Sequence, residues 1–214
     1  MREYDSIIFD LDGTLIDSLA DLAASVNYMM TQLGLKERTI EEVRGFVGDG
    51  VKKLVERCLD GYDASLYEKA LVVFQEYYAK NNARFTKVYD GIYETLDMLK
   101  EKGYQLAVVS NKFQLAVDLI AEEYFRGYFD IAIGESASIP RKPAPDMIMK
   151  VMESCNYVKE RTLLIGDSDV DIKTAQNAGI RCLSATWGFR SEAFLVEHGA
   201  ETLIHKPYDI LFIL

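Results

Sequence analysis

Two carboxylates one residue apart, Asp10 and Asp12, follow the apolar run Ile7-Ile8-Phe9 and precede Gly13. An apolar run too short for a helix and closed by Asp-Gly reads as a buried strand that ends at Phe9 or Asp10 and opens into a turn. Ligands of open parallel sheets bind beyond the carboxyl ends of the strands, so the pair would form a dense negative site at such an edge. A site of this kind calls for a small hard cation with oxygen ligands, and Mg²⁺ is the natural choice. A carboxylate placed beside it can attack phosphorus and become an aspartyl-phosphate. Gly13 would let the chain turn tightly next to a ligand. Asp-Gly is also common at solvated strand-to-turn junctions, but two carboxylates at this place favour chemistry, and what else reaches the same edge tests it.

The elements that must position these residues can be read from periodicity. After the first strand, Asp17-Ser18 supplies a helix N-cap, and Leu19, Leu22, Ala23, Val26, Met29, Met30 and Leu33 recur at helical spacing. Thr39-Ile40-Glu41-Glu42 has the form of a capping box and opens a second helix towards Gly48-Asp49-Gly50. Helical spacing returns from Val51 to Leu59 and from Ser65 to about Asn82. Residues 16–86 are therefore expected to be all helical, a small domain inserted after a single strand. From Val88 onwards strand and helix signals alternate, which predicts a parallel sheet. Strands are expected at Gln105–Val109, Ile131–Ile133, Thr162–Ile165, Arg181–Ser184 and Thr202–Ile204, and helices from Ile92 to Lys102, from Phe113 to about Glu123, from after Pro145 to about Cys155, from Val170 to Ala178 and, short, over Tyr208–Leu214. The expected fold class is α/β: a Rossmann-like core of residues 1–15 and 87–214, carrying a helical domain of residues 16–86.

Four segments then stand at predicted strand ends: Asp10-Leu11-Asp12, Ser110-Asn111, Lys142-Pro143 and Gly166-Asp167-Ser168. Together they offer a nucleophilic carboxylate, a hydroxyl with adjacent amides, a cation, and further acids at Asp167 and Asp171. That set suits phosphoryl transfer. Lys142 would neutralise charge on the transferring group, and Ser110 with the helix N-terminus after it would hold its oxygens. Each residue also has a plainer explanation. Ser110 alone is a plausible helix cap, Lys142 a solvated loop charge, and Asp167 to Asp171 one turn of N-terminal capping.

In this order the four segments resemble the motifs of the haloacid dehalogenase superfamily of aspartyl-phosphate hydrolases, over nearly the whole chain. Asp10-Leu-Asp12-Gly13-Thr14 is similar to the first motif, Val109-Ser110-Asn111 to the second, Lys142-Pro143 to the third, and Gly166-Asp167-Ser168 with Asp171 to the fourth. The resemblance implies a helical cap domain and a Mg²⁺-dependent phosphatase. It implies Asp10 as nucleophile and Asp12 as the acid, then base, that serves the leaving oxygen and water. Ser110, Asn111 and Lys142 would bind phosphate. The metal would be held by the side chains of Asp10 and Asp167 and by the backbone carbonyl of Asp12, with Asp171 in its outer shell, direct ligation remaining open. Within the superfamily the chain is most similar to phosphoglycolate phosphatases, through Phe46 to Val51, Lys142-Pro143-Ala144-Pro145-Asp146 and Trp187-Gly188-Phe189. The loop Gly48-Asp49-Gly50 would then recognise substrate, or be no more than a helix-helix turn. Pyrophosphatase, nucleotidase and β-phosphoglucomutase-like chemistry, and a regulatory phosphate-ligand binder without turnover, are the alternatives.

Composition narrows the partners. The 214 residues carry a net charge of −10, which repels nucleic acid and anionic lipid and favours a small phosphorylated metabolite as the ligand. Cys58, Cys155 and Cys182 are odd in number and far apart, so neither a disulfide framework nor a zinc site is expected. The N-terminal Met-Arg-Glu-Tyr-Asp has no basic stretch leading into a long apolar one, which supports neither secretion nor membrane spanning; with the unpaired cysteine pattern a cytoplasmic protein is expected, as a monomer or homodimer.

Overall fold

The computed structural model describes residues 2–214. Strand β1, Ser6–Phe9, is buried along its whole length, as its unbroken apolar run requires for a strand covered on both faces. A two-residue strand, β2 (Ile16–Asp17), follows it. Helices α1 (Leu19–Gln32), α2 (Ile40–Phe46), α3 (Gly50–Cys58) and α4 (Tyr67–Asn81) come next, before the equally short β3 (Lys87–Val88). The remainder alternates as anticipated: α5 (Ile92–Glu101), β4 (Gln105–Phe113), α6 (Gln114–Tyr124), β5 (Ile131–Glu135), α7 (Asp146–Cys155), β6 (Thr162–Gly166), α8 (Asp169–Ala178) and β7 (Arg181–Ala185). Helix α9 (Glu192–Glu197), β8 (Leu203–Ile204) and α10 (Ile210–Ile213) complete the chain. Among the described residues no helix is long and apolar enough to cross a membrane. The three cysteines are unbridged.

The main sheet has six parallel strands in the order β5-β4-β1-β6-β7-β8. Chain order runs outward from β1 through β4 to β5 on one side and through β6, β7 and β8 on the other. The direction of winding therefore reverses at β1. Such a reversal opens a crevice at the carboxyl ends of the central strands, because the connections on either side leave in opposite directions. Side chains on one face of the sheet, including Ile7, Phe9, Leu106, Val108, Leu163 and Ile165, enter one buried cluster. Their neighbours Ile8, Ala107, Val109 and Leu164 enter a second on the opposite face. This alternation is the period-two signature of a strand with both faces covered.

Chain contacts divide the protein into two compact units, Met1–Ile16 with Val88–Leu214, and Asp17–Lys87. The second is helical from α1 to α4, but the expectation of helix throughout 16–86 needs correction at its first residues, where Ile16 and Asp17 form β2. Thr39 and Glu42 make the capping box anticipated at α2, with the Thr39 amide 2.7 Å from the Glu42 carboxylate. At α1 the cap differs: Ser18 occupies the N-cap position without a side-chain capping bond, and the Asp17 carboxylate accepts from the Leu19 amide instead (3.2 Å).

Within the helical unit, Asp21 is a buried carboxylate on α1 that accepts from the amides of Phe85 (3.0 Å) and Thr86 (2.8 Å) and from the Thr86 hydroxyl (2.7 Å). These bonds fix the segment that leaves α4. Asp21→Asn replaces one acceptor oxygen with a donor amide, which cannot accept from Thr86. We expect it to cost about 1–3 kcal/mol in urea unfolding, since a buried donor is left unmet.

Candidate active site

Asp10 stands one residue beyond β1, and its amide donates to Ile165 O of β6 (2.8 Å), which ties the two strand ends together. Asp167 stands one residue beyond β6, and α8 begins two residues later. Ser110 and Asn111 lie on β4, beside β1. The sheet thus brings to one crevice residues that are far apart along the chain.

Lys142 joins them. Its side chain is only 2% exposed, and its ammonium lies 2.7 Å from Asp10 Oδ1 and 2.7 Å from Asp171 Oδ1. Burial works against that charge, but the Asp10 and Asp171 carboxylates outweigh it and hold Lys142 above the usual lysine range. The reading of Lys142 as a solvated loop charge is therefore corrected. Asn111 supports it, donating from Nδ2 to the carbonyl of Lys142 (3.0 Å) and so anchoring that loop to β4.

Asp171 does two jobs. Its Oδ2 accepts from the hydroxyl (2.6 Å) and amide (3.2 Å) of Ser168, and the Ser168 hydroxyl caps the Asp171 amide in return. Its other oxygen binds Lys142. Asp171 thus caps α8 and, through its other oxygen, contacts a buried cation at the crevice.

Ser110 is not a helix cap. β4 runs on through Asn111 and Lys112 to Phe113, its register against β5 shifts between Val109 and Phe113, and α6 starts only at Gln114. The helix expected from Phe113 thus begins one residue later, and its N-terminus does not adjoin Ser110. The Ser110 hydroxyl instead accepts from the Lys112 amide (3.1 Å).

Asp10, Asp167 and Asp171 each offer a carboxylate oxygen within 4.8 Å of the others, and all three side chains are buried. Burial, reinforced by the Asp171 charge, pushes Asp10 well above the normal carboxylate range and Asp167 up to about 7. A cluster of buried hard oxygen donors whose negative charge is incompletely offset fits a small divalent cation. Asp167 is seated closely. Its Oδ2 accepts from the Phe189 amide (2.6 Å), and a Cβ at Gly13 or at Gly188 would collide with its carboxylate. Trp187 donates from its indole to Thr14 O (3.0 Å), which pins the Trp187-Gly188-Phe189 segment to the turn after β1. The sequence marked that segment only by similarity, and the structure supplies its purpose. Gly188→Ala is expected to displace Asp167, lowering Tm by a few degrees through about 1–3 kcal/mol of overpacking. Turnover should fall with it, a loss that parallel thermal and steady-state assays would detect.

One residue at this crevice escaped the sequence reading. Lys112 is buried, and its ammonium lies 2.7 Å from Asp12 Oδ1. The strand was expected to end at Val109, and its continuation through Lys112 to Phe113 is what buries this lysine. The loop Gly48-Asp49-Gly50 belongs to the helical unit. There Arg57 Nη2 lies 2.5 Å from Asp49 Oδ2 and Arg57 Nη1 donates to Phe46 O (2.7 Å).

Comparison with known proteins agrees with this geometry. The family model for haloacid dehalogenase-like hydrolases matches residues 7–185, a span that includes Asp10, Asp12, Ser110, Lys142, Asp167 and Asp171. A phosphoglycolate phosphatase from Aquifex aeolicus is 38% identical over 184 residues, covering 86% of this chain and 85% of its own. Phosphoglycolate phosphatase 1 of Pseudomonas aeruginosa is 36% identical over 212 residues, covering 96% and 78%. The crystal structure of a candidate phosphoglycolate phosphatase from Lactobacillus delbrueckii subsp. bulgaricus is 35% identical and superposes with a TM-score of 0.96 over 100% of this chain and 99% of that one. With the parallel α/β sheet, the crevice and these relatives in agreement, the chain belongs to the haloacid dehalogenase-like hydrolase family.

Proposed function

We propose that this protein is a Mg²⁺-dependent phosphatase that cleaves a small phosphate monoester through a phosphorylated Asp10, and that 2-phosphoglycolate is the substrate to test first. The observation that carries the reading is Lys142 bridging Asp10 and Asp171 beside Asp167, an arrangement with a nucleophile, a fixed cation and a set of hard oxygen donors in one buried crevice. Asp10 attacks phosphorus; Lys142 holds the nucleophile in place and offsets charge as the phosphoryl group arrives. Asp12 protonates the leaving oxygen and then takes a proton from the water that hydrolyses the aspartyl-phosphate. The Ser110 hydroxyl and nearby amides bind phosphoryl oxygens.

Asp10 and Asp167 would hold the metal with the Asp12 carbonyl. Asp171, whose oxygens accept from Lys142 and from Ser168, would stand in the outer shell and orient the groups around the metal. The bound cation would offset charge on the phosphoryl oxygens and permit the carboxylates to stay ionised.

The proposed substrate is supported by the names of the relatives and, within the helical unit, by the character of the loop at Gly48. Gly48 and Gly50 have φ of +115° and +79°, and backbone amides in such a loop suit a small carboxylate. The negative charge of Asp49, which would oppose an anion, is countered by Arg57.

The test is phosphate release with Mg²⁺ from 2-phosphoglycolate, β-glucose 1-phosphate, nucleoside monophosphates and pyrophosphate. We expect 2-phosphoglycolate to lead in kcat/KM by about two orders of magnitude, a margin that buried polar recognition can supply. Similar slow rates for all would remove the substrate assignment and leave the phosphatase. Mg²⁺ alone should also raise Tm, as any ligand specific to the folded state does.

A further inference from the structure

Two lysines enter the crevice, and the roles above use one. Lys112 lies within β4, where its side chain is 4% exposed, while that of its partner Asp12 is 20% exposed. Burying an ammonium on a strand is expensive unless it is paired, and Lys112 Nζ is 2.7 Å from Asp12 Oδ1. Its backbone is fixed as well, because the Lys112 amide donates to the Ser110 hydroxyl (3.1 Å). One residue therefore contacts the hydroxyl assigned to the phosphoryl group and the carboxylate assigned to the leaving group.

The chemistry of an ammonium gives this contact direction. It donates and never accepts, so an Asp12 oxygen facing it cannot also present a proton towards it. With Oδ1 receiving the Lys112 hydrogen bond, the transferable proton belongs on Oδ2. We propose that Lys112 is a positioning residue for Asp12: it fixes the rotamer of that carboxyl group and makes Oδ2 the oxygen through which protons pass. In the first half-reaction the bond from phosphorus to the ester oxygen breaks as Asp10 bonds to phosphorus. The proton on Asp12 Oδ2 moves to the departing oxygen, leaving an alcohol and an Asp12 carboxylate. In the second, water adds to phosphorus, its proton goes to Oδ2, and the Asp10–phosphorus bond breaks to release inorganic phosphate. A structural ion pair would equally explain the burial of Lys112, and only its effect on the proton-transfer steps separates the two.

This inference rests on the acid–base reading of Asp12, and the experiment keeps the two apart. Lys112→Met, Asp12→Asn and the double variant are assayed with an alkyl phosphate and with p-nitrophenyl phosphate, whose leaving group departs without an acid. Lys112→Met should lower kcat on the alkyl ester by about 10- to 100-fold, the usual cost of a misplaced catalytic group, with KM changed by less than about threefold. With p-nitrophenyl phosphate, the nitrophenol burst should persist while steady-state turnover drops, since only the second half-reaction still needs Asp12. The double variant should be no slower than Asp12→Asn, because Lys112 acts through that residue. Lys112→Leu, which likewise removes the donor and keeps an apolar stem, serves if the Met variant does not fold.

A KM raised by about tenfold or more with kcat retained would make Lys112 a substrate contact and overturn the proposal. So would a double variant clearly slower than Asp12→Asn. Wild-type turnover in Lys112→Met beside an inactive Asp12→Asn overturns this inference alone, whereas an undiminished Asp12→Asn overturns the acid–base reading and this inference with it.

Discussion

Asp10→Asn should lower kcat by on the order of 10⁴-fold or more, as removal of a covalent nucleophile does elsewhere, while the folded protein loses no stability. The two halves of this result have one cause. The Asp10 side chain is 10% exposed, and burial together with the Asp171 charge disfavours its ionised form. Lys142 is its compensation, at 2.7 Å. An asparagine in the same rotamer still accepts from Lys142 through Oδ1 but adds no like charge beside Asp171 and Asp167. The variant should therefore melt at or above the wild-type temperature and give no acid-stable phosphorylated protein after quenching with substrate. A phosphorylated Asp10→Asn protein would place the nucleophile elsewhere.

The second large effect concerns the other end of the same ion pair. Lys142→Ala leaves Asp10 and Asp171 buried without their shared counter-charge, and losing one partner of a buried pair costs about 3–5 kcal/mol. For a chain of this size that corresponds to roughly 6–20 °C in Tm. Activity should be lost as well, but activity alone cannot separate a missing phosphate contact from a collapsed site. Stability can. If the cost is unpaired charge, adding Asp10→Asn to Lys142→Ala should restore part of the lost Tm, a non-additivity that a double-mutant cycle measures directly. If the cost is only the cavity left by the lysine stem, the two substitutions will add.

These expectations depend on contacts that the linear chain shows very unequally. The strands are legible because each is an apolar run with turn residues at its end, and β1 and β6 lie where Ile7-Ile8-Phe9 and Thr162 to Ile165 indicate. The parallel α/β class follows from the alternation after Val88. What lacks periodicity is missed. β3 is two residues long, and α9 spans six residues with Leu195 as its one buried position, too little of either period to register. Ser110 was plausible as a cap because a helix follows closely, but the pairing of β4 with β5 carries the strand four residues further than Val109.

The sequence by itself determined which residue types end the strands, and so that two acids, a serine, a lysine and two further acids would gather at one edge of a parallel sheet. That follows from local physics: hydrophobic period, turn residues and the rule that such sheets bind at their carboxyl ends. Only the tertiary structure decided the pairings among them. Lys142 reaches Asp10 and Asp171, Lys112 reaches Asp12, and Phe189 and Gly188 close on Asp167. Read singly, a lysine is taken for a solvated residue, because burying its charge is unfavourable. Both lysines are buried here because carboxylates from strand and helix ends far away in sequence lie within 2.7 Å, and no local pattern encodes a partner that distant.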